Sequence, residues 1–423
     1  MLAHSPPLPL IIDHNDNYHD LTSSDEVEGI LLALQHRDRV RRIYLRKPHM
    51  YLQMLIPAMN GQFPVLEYFY IAPLYKYYPR LALPSTFEAP QLRMLALDHF
   101  IAPIGSPILT SAVGLVELSL RWIHPLTNIL PNHLFQALSC LPQLQHLVIS
   151  FLSSQVDHEI QQQLLDMSTI THTTLPNLRS FHFGGVSAYL EALLPHLNAP
   201  LLNVFDIIFF HPFNFSVPHL REFVTTTLSL GCSRVKFLFY PDAVAVFMIP
   251  SQAASASLLT FGIRIADWRL HWQVSSMAQM SNELGPLLST AVELTLASRW
   301  YVWSAAWRNE VDPVQWRSLL EPFRNVETLR VYDGLVGDLS RCLALDGDSP
   351  PEIRILPKLK SLVCSTRSRD AEAFARFVDD RKVAGLPINV VEGIHPARIV
   401  DYKFRTAAGT EHVSHNSVRL RLA

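Results

Sequence analysis

Charge is scarce and balanced in this chain. Only 17% of its 423 residues are charged, and 35 Lys and Arg stand against 37 Asp and Glu, for a formal net charge of −2. The basic excess that marks nucleic-acid binding is missing, and so is the polarity of a disordered chain. Cysteine is rarer still. Cys140, Cys232, Cys342 and Cys364 lie far apart, with no C-x-x-C and no histidine pair at metal-ligand spacing. That excludes a disulfide framework, and we expect reduced, small, mostly buried side chains. The one sequon, Asn214-Phe-Ser216, is a match expected by chance in so long a chain.

A clean membrane-spanning run is also lacking. The longest uncharged stretch, "AVAVFMIPSQAASASLLTFGI" (243–263), is interrupted by Pro250 and by several polar residues, and reads as soluble core. The N-terminus "MLAHSPPLPLII" has no basic segment ahead of its short apolar part, so it is not a signal peptide. An intracellular, soluble protein of the cytoplasm or nucleus is expected.

Catalytic signatures are absent too. There is no G-x-G-x-x-G, no G-x-x-x-x-G-K-[ST], no H-E-x-x-H and no G-x-S-x-G. The histidines number 19, but His4, His36, His99, His146, His182 and His271 are scattered, as strand-face and loop residues are. Trp300, Trp303 and Trp307 fall at helical spacing, which is more often core packing than a ligand platform. The sequence therefore points away from an enzyme, a cofactor or a metal.

What is present is a beat. Apolar residues make up 49% of the chain, and "LPQLQHLVI" (141–149) returns as "LPNLRSFHF" (175–183) and "LPKLKSLVC" (356–364). The template L-x-x-L-x-L, with any aliphatic or aromatic residue at its fixed positions, occurs twelve times between residues 40 and 364, in steps of 23 to 35. A period in the twenties with this strand signature is that of leucine-rich repeats. In "LRSFHF", Phe181 and Phe183 are expected in the core, while Ser180, His182 and Gly184 face the other way. Leu178 plugs the turn before the strand. The preceding prolines Pro142, Pro176 and Pro357 sit where a missing N–H costs no ladder bond. Strands are predicted to begin near Arg41, Glu67, Arg93, Val116, Gln145, Arg179, Asn203, Lys236, Leu259, Val292, Glu327 and Lys360, all parallel in one curved sheet.

The return segments carry helical signals. "SSDEVEGILLALQ" offers Ser23 and Glu26 as a capping box, then Val27, Ile30, Leu31 and Leu34 on one face. "SAYLEALLPHL" places Leu190, Leu193, Leu194 and Leu197 similarly. "VDPVQWRSLLEPF" has Asp312 as N-cap, Pro313 at the first helical position, then Trp316, Leu319, Leu320 and Phe323. "DAEAFARFVDD" repeats the theme with Phe374, Phe377 and Val378. A doubly wound α/β domain also alternates strands and helices, but it rarely exceeds about ten strands and does not repeat one block twelve times. The expected fold is an α/β leucine-rich-repeat (RNI-like) solenoid of about twelve irregular strand–helix units. Arg46, Asp98, Arg121 and Ser150 stand where an asparagine often follows the strand, so the curvature should be irregular. Residues 1–20 read as a linker, 21–393 as the repeat domain and 394–423 as a disordered or loosely attached tail.

Three segments carry a resemblance: "GVSAYLEALLPHLNAPLLNVFDIIFFHPFNFSVPHLREF" (185–223), "WQVSSMAQM" (272–280) and "DPVQWRSLLEPFRNVETLRVYDGLVGDLSRCL" (312–343). They resemble the leucine-rich-repeat region of F-box proteins of mushroom-forming fungi, and the likeness runs from about Asp20 to about Gly393. It implies a non-catalytic substrate-recognition part of a cullin-type ubiquitin ligase adaptor. The F-box itself, a helical segment opening on a Leu-Pro-x-Glu type motif, does not fit in the residues ahead of the array, and "PPLPLIIDHND" looks like the linker that follows one. A free-standing leucine-rich-repeat interaction protein, or a truncated gene product without ligase role, is the alternative.

The outward strand positions are the candidate partner-binding face. The first units supply Arg42, Tyr44, Arg46, Tyr68 and Tyr70; later ones supply Arg121, His146, His182, Arg264, Arg330 and Tyr332, with Glu117 and Asp206 among them. Tyr and Arg bury large area with few rotors and carry hydrogen bonds, which is why they dominate interfaces. The expected partner is a protein or peptide, acidic or phosphorylated by preference, with the cullin-ligase linker only where an F-box is restored, and neither nucleic acid nor membrane.

Overall fold

A computed structural model of the chain describes residues 8–15, 24–75, 81–101, 104–123, 131–152, 172–210, 216–227, 232–250, 260–267, 269–298, 311–332, 335–343, 355–365 and 374–393. Its strands are β1 (Leu10–Asn15), β2 (Val40–Lys47), β3 (Tyr68–Pro73), β4 (Met94–Asp98), β5 (Glu117–Ile123) and β6 (His146–Phe151). They continue as β7 (Thr173–Thr174), β8 (Ser180–Gly185), β9 (Leu197–Asn198), β10 (Val204–Phe209), β11 (Cys232–Phe239) and β12 (Ala243–Pro250). The last are β13 (Thr260–Ala266), β14 (Glu293–Ser298), β15 (Thr328–Val331), β16 (Ser361–Ser365) and β17 (Asn389–Gly393). Fifteen of them form one open, mostly parallel sheet, while β7 and β9 pair separately.

The repeated tripeptide spacing has a local cause. In "LPQL", "LPNL" and "LPKL" the amide of the fourth residue donates to the carbonyl of the first: Leu144 to Leu141 at 3.2 Å, Leu178 to Leu175 at 3.2 Å, Leu359 to Leu356 at 3.1 Å. Proline occupies the second position of this turn, where its fixed φ is favourable. The next two amides then reach one carbonyl of the preceding unit, as Arg179 and Ser180 reach Gln145 O at 2.8 and 3.0 Å. The same double bond recurs at Glu67 O, Arg93 O, Val116 O, Arg179 O, Val292 O and Glu327 O. It sets the register of each strand on its neighbour.

Strand alternation does the rest. Residues of one parity, such as Ile43, Phe69, Leu95, Leu118, Leu147, Phe181, Phe205, Phe261, Leu294, Leu329 and Leu362, join the helices in one continuous core. Leu178, Phe181 and Phe183 are all in it. The helix at Ser24–Gln35 buries Val27, Ile30 and Leu34 as its spacing predicts, while Ser23 lies outside the described residues. Asp312 caps the Pro313–Leu320 helix by accepting from the Val314 amide at 2.8 Å. Trp316, Leu319, Leu320 and Phe323 are fully buried. Three of the four cysteines are buried and all are free.

Three expectations need correction. First, the sheet is not wholly parallel. Its order runs β10–β13–β12–β11–β14, so the chain leaves β10, skips two places to lay down β11, and returns through β12 to β13. β12 is antiparallel to both neighbours. Pro241 and Asp242 make the hairpin turn, closed by the Tyr240 amide on Ala243 O at 2.7 Å. The apolar stretch from 243 thus supplies two strands rather than one. Second, the supposed linker contains β1, which pairs with β2 and forms an edge of the sheet. Third, "SAYLEALLPHL" is helical only over Ser187–Leu193; Pro195 tightens its end into a 3-10 turn, and Leu197 belongs to β9. Asn214, the tryptophans 300, 303 and 307, and the tail 394–423 lie outside the described residues.

Candidate partner-binding face

Because every helix residue of the core packs on one parity of the strands, the other parity forms a second face. Its register is continuous across all fifteen strands. One row runs from Asp13 and Tyr44 through Tyr70, Ala96, Ser119 and Val148 to His182 and Asp206. It crosses Gly262, Phe247, Lys236, Thr295 and Arg330, and ends on Val363 and Val391. A parallel row holds Arg42, Tyr68, Met94, Glu117, His146 and Ser180. On the far side lie Arg46, Arg121 and Arg264, opposite Ala72, Asp98 and Ala245 respectively. All eleven predicted residues share this face.

They do not share one environment. At the β2–β3 end, the Tyr44 and Tyr70 rings stack at 4.4 Å and 12°. The Arg42 guanidinium lies 4.4 Å above the Tyr68 ring and pairs with Asp13 at 3.5 Å. Burial raises the Tyr68 hydroxyl above its ordinary value, against the pull of Arg42. Tyr70 itself is only 4% exposed, walled in with Ala72, Met94 and Ala96, so it supports the platform rather than meeting a partner. Tyr332, 5% exposed against Leu238 and Ala297, is corrected in the same way.

The middle of the face is acidic and histidine-rich. His182 Nδ1 lies 3.1 Å from Asp206 Oδ2, and His146 Nδ1 lies 3.1 Å from Ser180 Oγ. Burial pushes the His146 imidazole down, helped by His182 and Arg179. Burial pushes the Glu117 carboxyl up, opposed by Arg121 and His182. Gly262 leaves room here: a Cβ on it would stand 2.8 Å from Asp206 Oδ1 and 3.4 Å from the Phe247 ring. The carboxylate and the ring lean over the bare strand from opposite sides.

Beyond β13 the face turns basic and aromatic again. Arg264 lies 5.4 Å from the Tyr240 ring and 3.5 Å from Asp242. Arg330 pairs with Glu293 at 2.6 Å and also bonds Tyr332. Lys236 and Phe247, neighbours across β11 and β12, were not singled out in the sequence, nor was Asp13. The Pro-Asp pair between two apolar runs was the available sign of the hairpin that presents Phe247. Among the described residues, no three His, Cys, Asp or Glu side chains are grouped to hold a metal ion, and no helix is long and apolar enough to cross a membrane.

The chain matches no model of a known protein family, and no curated protein matches it.

Proposed function

We propose that this chain is a non-catalytic protein-binding scaffold with a leucine-rich-repeat solenoid architecture, and that its partner lies across the strand face opposite the described helices. The observation that carries the reading is the row of register partners from Asp13 to Val391 on the face opposite the described helices, closed at Tyr70, Ala96 and Ser119 but half-buried or exposed at Asp13, Tyr44, His182, Asp206, Lys236 and Arg330. Fifteen strands at about 4.8 Å spacing span roughly 67 Å. Such a surface suits a protein or extended peptide, whereas a small metabolite wants an enclosed pocket. Arg42, Tyr44, Arg46 and Tyr68 anchor an acidic or phosphorylated segment at the β2–β3 end. The Arg42–Asp13 pair is long and solvent-facing, so a partner carboxylate displaces Asp13 at a cost of about 0–1 kcal/mol.

The ubiquitin-ligase version of this reading, in the cytoplasm or nucleus, rests on the sequence resemblance. In it the chain recognises the substrate of an F-box-type adaptor; in the alternative it is a free-standing interaction protein. Co-purification separates the two, since an adaptor brings down the cullin linker protein. The binding site is tested by Arg42→Glu with Arg46→Glu. With melting unchanged, capture of acidic or phosphorylated peptides should fall at least tenfold, and undiminished capture overturns the site.

A further inference from the structure

The out-of-order hairpin builds something that a regular array lacks. β12 brings Phe247 into the row beside Lys236, and the hairpin turn brings Tyr240 beneath Arg264. The turn is held from below. Gln273, fully buried on the Leu270–Glu283 helix, donates its side-chain amide to Tyr240 O at 2.8 Å and to Asp267 O at 2.7 Å. Arg330 and the packed Tyr332 complete the patch. Its composition repeats that of the β2–β3 end: guanidinium over tyrosine, lysine or arginine beside an aromatic ring, and cations paired to acids, Arg264 with Asp242 in an exposed contact and Arg330 with Glu293 in a half-buried one. Between the two patches the strands carry Arg121 beside the buried Glu117, then His146, His182 and Asp206.

We infer that the hairpin patch is a second anchor, and that the partner is a linear peptide segment with two acidic or phosphorylated clusters, one seated at each end. This rests on the reading of the face proposed above. β2 and β12 are eight strand steps apart in the sheet. At about 4.8 Å per step the anchors are roughly 38 Å apart, which an extended peptide covers with about eleven or twelve residues. The acidic centre decides the class of partner. A nucleic acid carries phosphate continuously and would meet Asp206 with like charge. A peptide can place neutral or basic residues there. Linking two modest contacts makes the second intramolecular, so spacing governs affinity.

The probes are synthetic peptides with two Asp-Glu clusters separated by about twelve residues, the same clusters separated by about four, and one cluster alone. Affinity is measured by fluorescence anisotropy, with a single-stranded oligonucleotide alongside. The long-spaced peptide should bind at least about tenfold more tightly than either other. Lys236→Glu should reduce it to single-cluster affinity while leaving single-cluster binding at Arg42 and Arg46 unchanged. Phe247→Ala, checked by circular dichroism for an intact fold, should do the same if Lys236→Glu fails to fold. Equal affinity for all three peptides, abolished by Arg42→Glu with Arg46→Glu, overturns the second anchor and leaves the first standing. No binding of any acidic peptide overturns both. Tighter capture of the oligonucleotide overturns the peptide assignment.

Discussion

Phe181 lies between Phe183 on its own strand and Phe205 across the ladder, with which it stacks at 5.4 Å. Phe205 in turn meets Phe261 at 5.6 Å, so one ring per strand continues the core from β8 through β10 to β13. Removing a ring there leaves a cavity that rigid neighbours cannot fill. Phe181→Ala should cost about 3–5 kcal/mol, read as a lowered urea midpoint. An unchanged midpoint would refute the register. The opposite face of the neighbouring strand β6 predicts a pH effect. His146 titrates below its ordinary 6.5 in the folded chain, through burial first and then through His182 and Arg179. The folded state therefore binds fewer protons there than the unfolded chain as pH falls through about 6.5, and stability is lost on the acid side. His146→Gln should flatten the fall in melting temperature over that window. An identical slope in the variant would remove His146 as its source.

Elements differ in how openly they announce themselves. Eleven of the twelve template strands were legible in register, because large apolar residues recur at period two behind an apolar turn residue; in the twelfth, β11 begins at Cys232 rather than near Lys236 and buries Val235, Phe237 and Phe239, while Leu238 turns to the other face. Helices were legible where the caps are local, as at Asp312. The edge strand β1 was not, since only Ile12 of its residues is buried and no leucine turn precedes it. Strand order was not legible either. Parallel and antiparallel strands share the same alternation, and they differ in which strand lies alongside and in the hydrogen-bond pattern between them, neither of which the alternation records. Site legibility followed burial: the alternation put all eleven residues on one face, yet could not tell that Tyr70 and Tyr332 would be packed under their neighbours. Gln273 illustrates an element held by a long-range contact. Gln273→Leu strips two turn carbonyls of their donors and should cost about 1–3 kcal/mol. Amide exchange should accelerate first in Cys232–Phe239 and Ala243–Pro250; acceleration elsewhere without these would count against the tie. Arg381, 1% exposed, does similar service for the turn into β16, donating to Leu356 O, Pro357 O and Leu359 O.

At the scale of the molecule, each strand of the open sheet bonds only its immediate neighbours, so cohesion is passed along rather than shared. Exchange protection should be lowest in β1 and β17, which have one partner each, and highest near β8, β10 and β13. Uniform protection across the sheet would mean a single cooperative unit instead. The exchanged order of β11 and β13 also sets a timetable for the nascent chain. As residues leave the ribosome, each strand of the large sheet from β2 to β10 can dock on the sheet strand made before it, β8 on β6 and β10 on β8 included. Then the growing edge must wait: β10 ends at Phe209, but its partner β13 is not complete until Ala266. At about 5–20 residues per second, that interval leaves the β10 edge unpaired for several seconds. Meanwhile β11 and β12 can close locally as a hairpin, and β13 must then slot between two preformed edges. Translation speed across residues 210–266 should therefore influence the yield of folded protein more than speed elsewhere in the array.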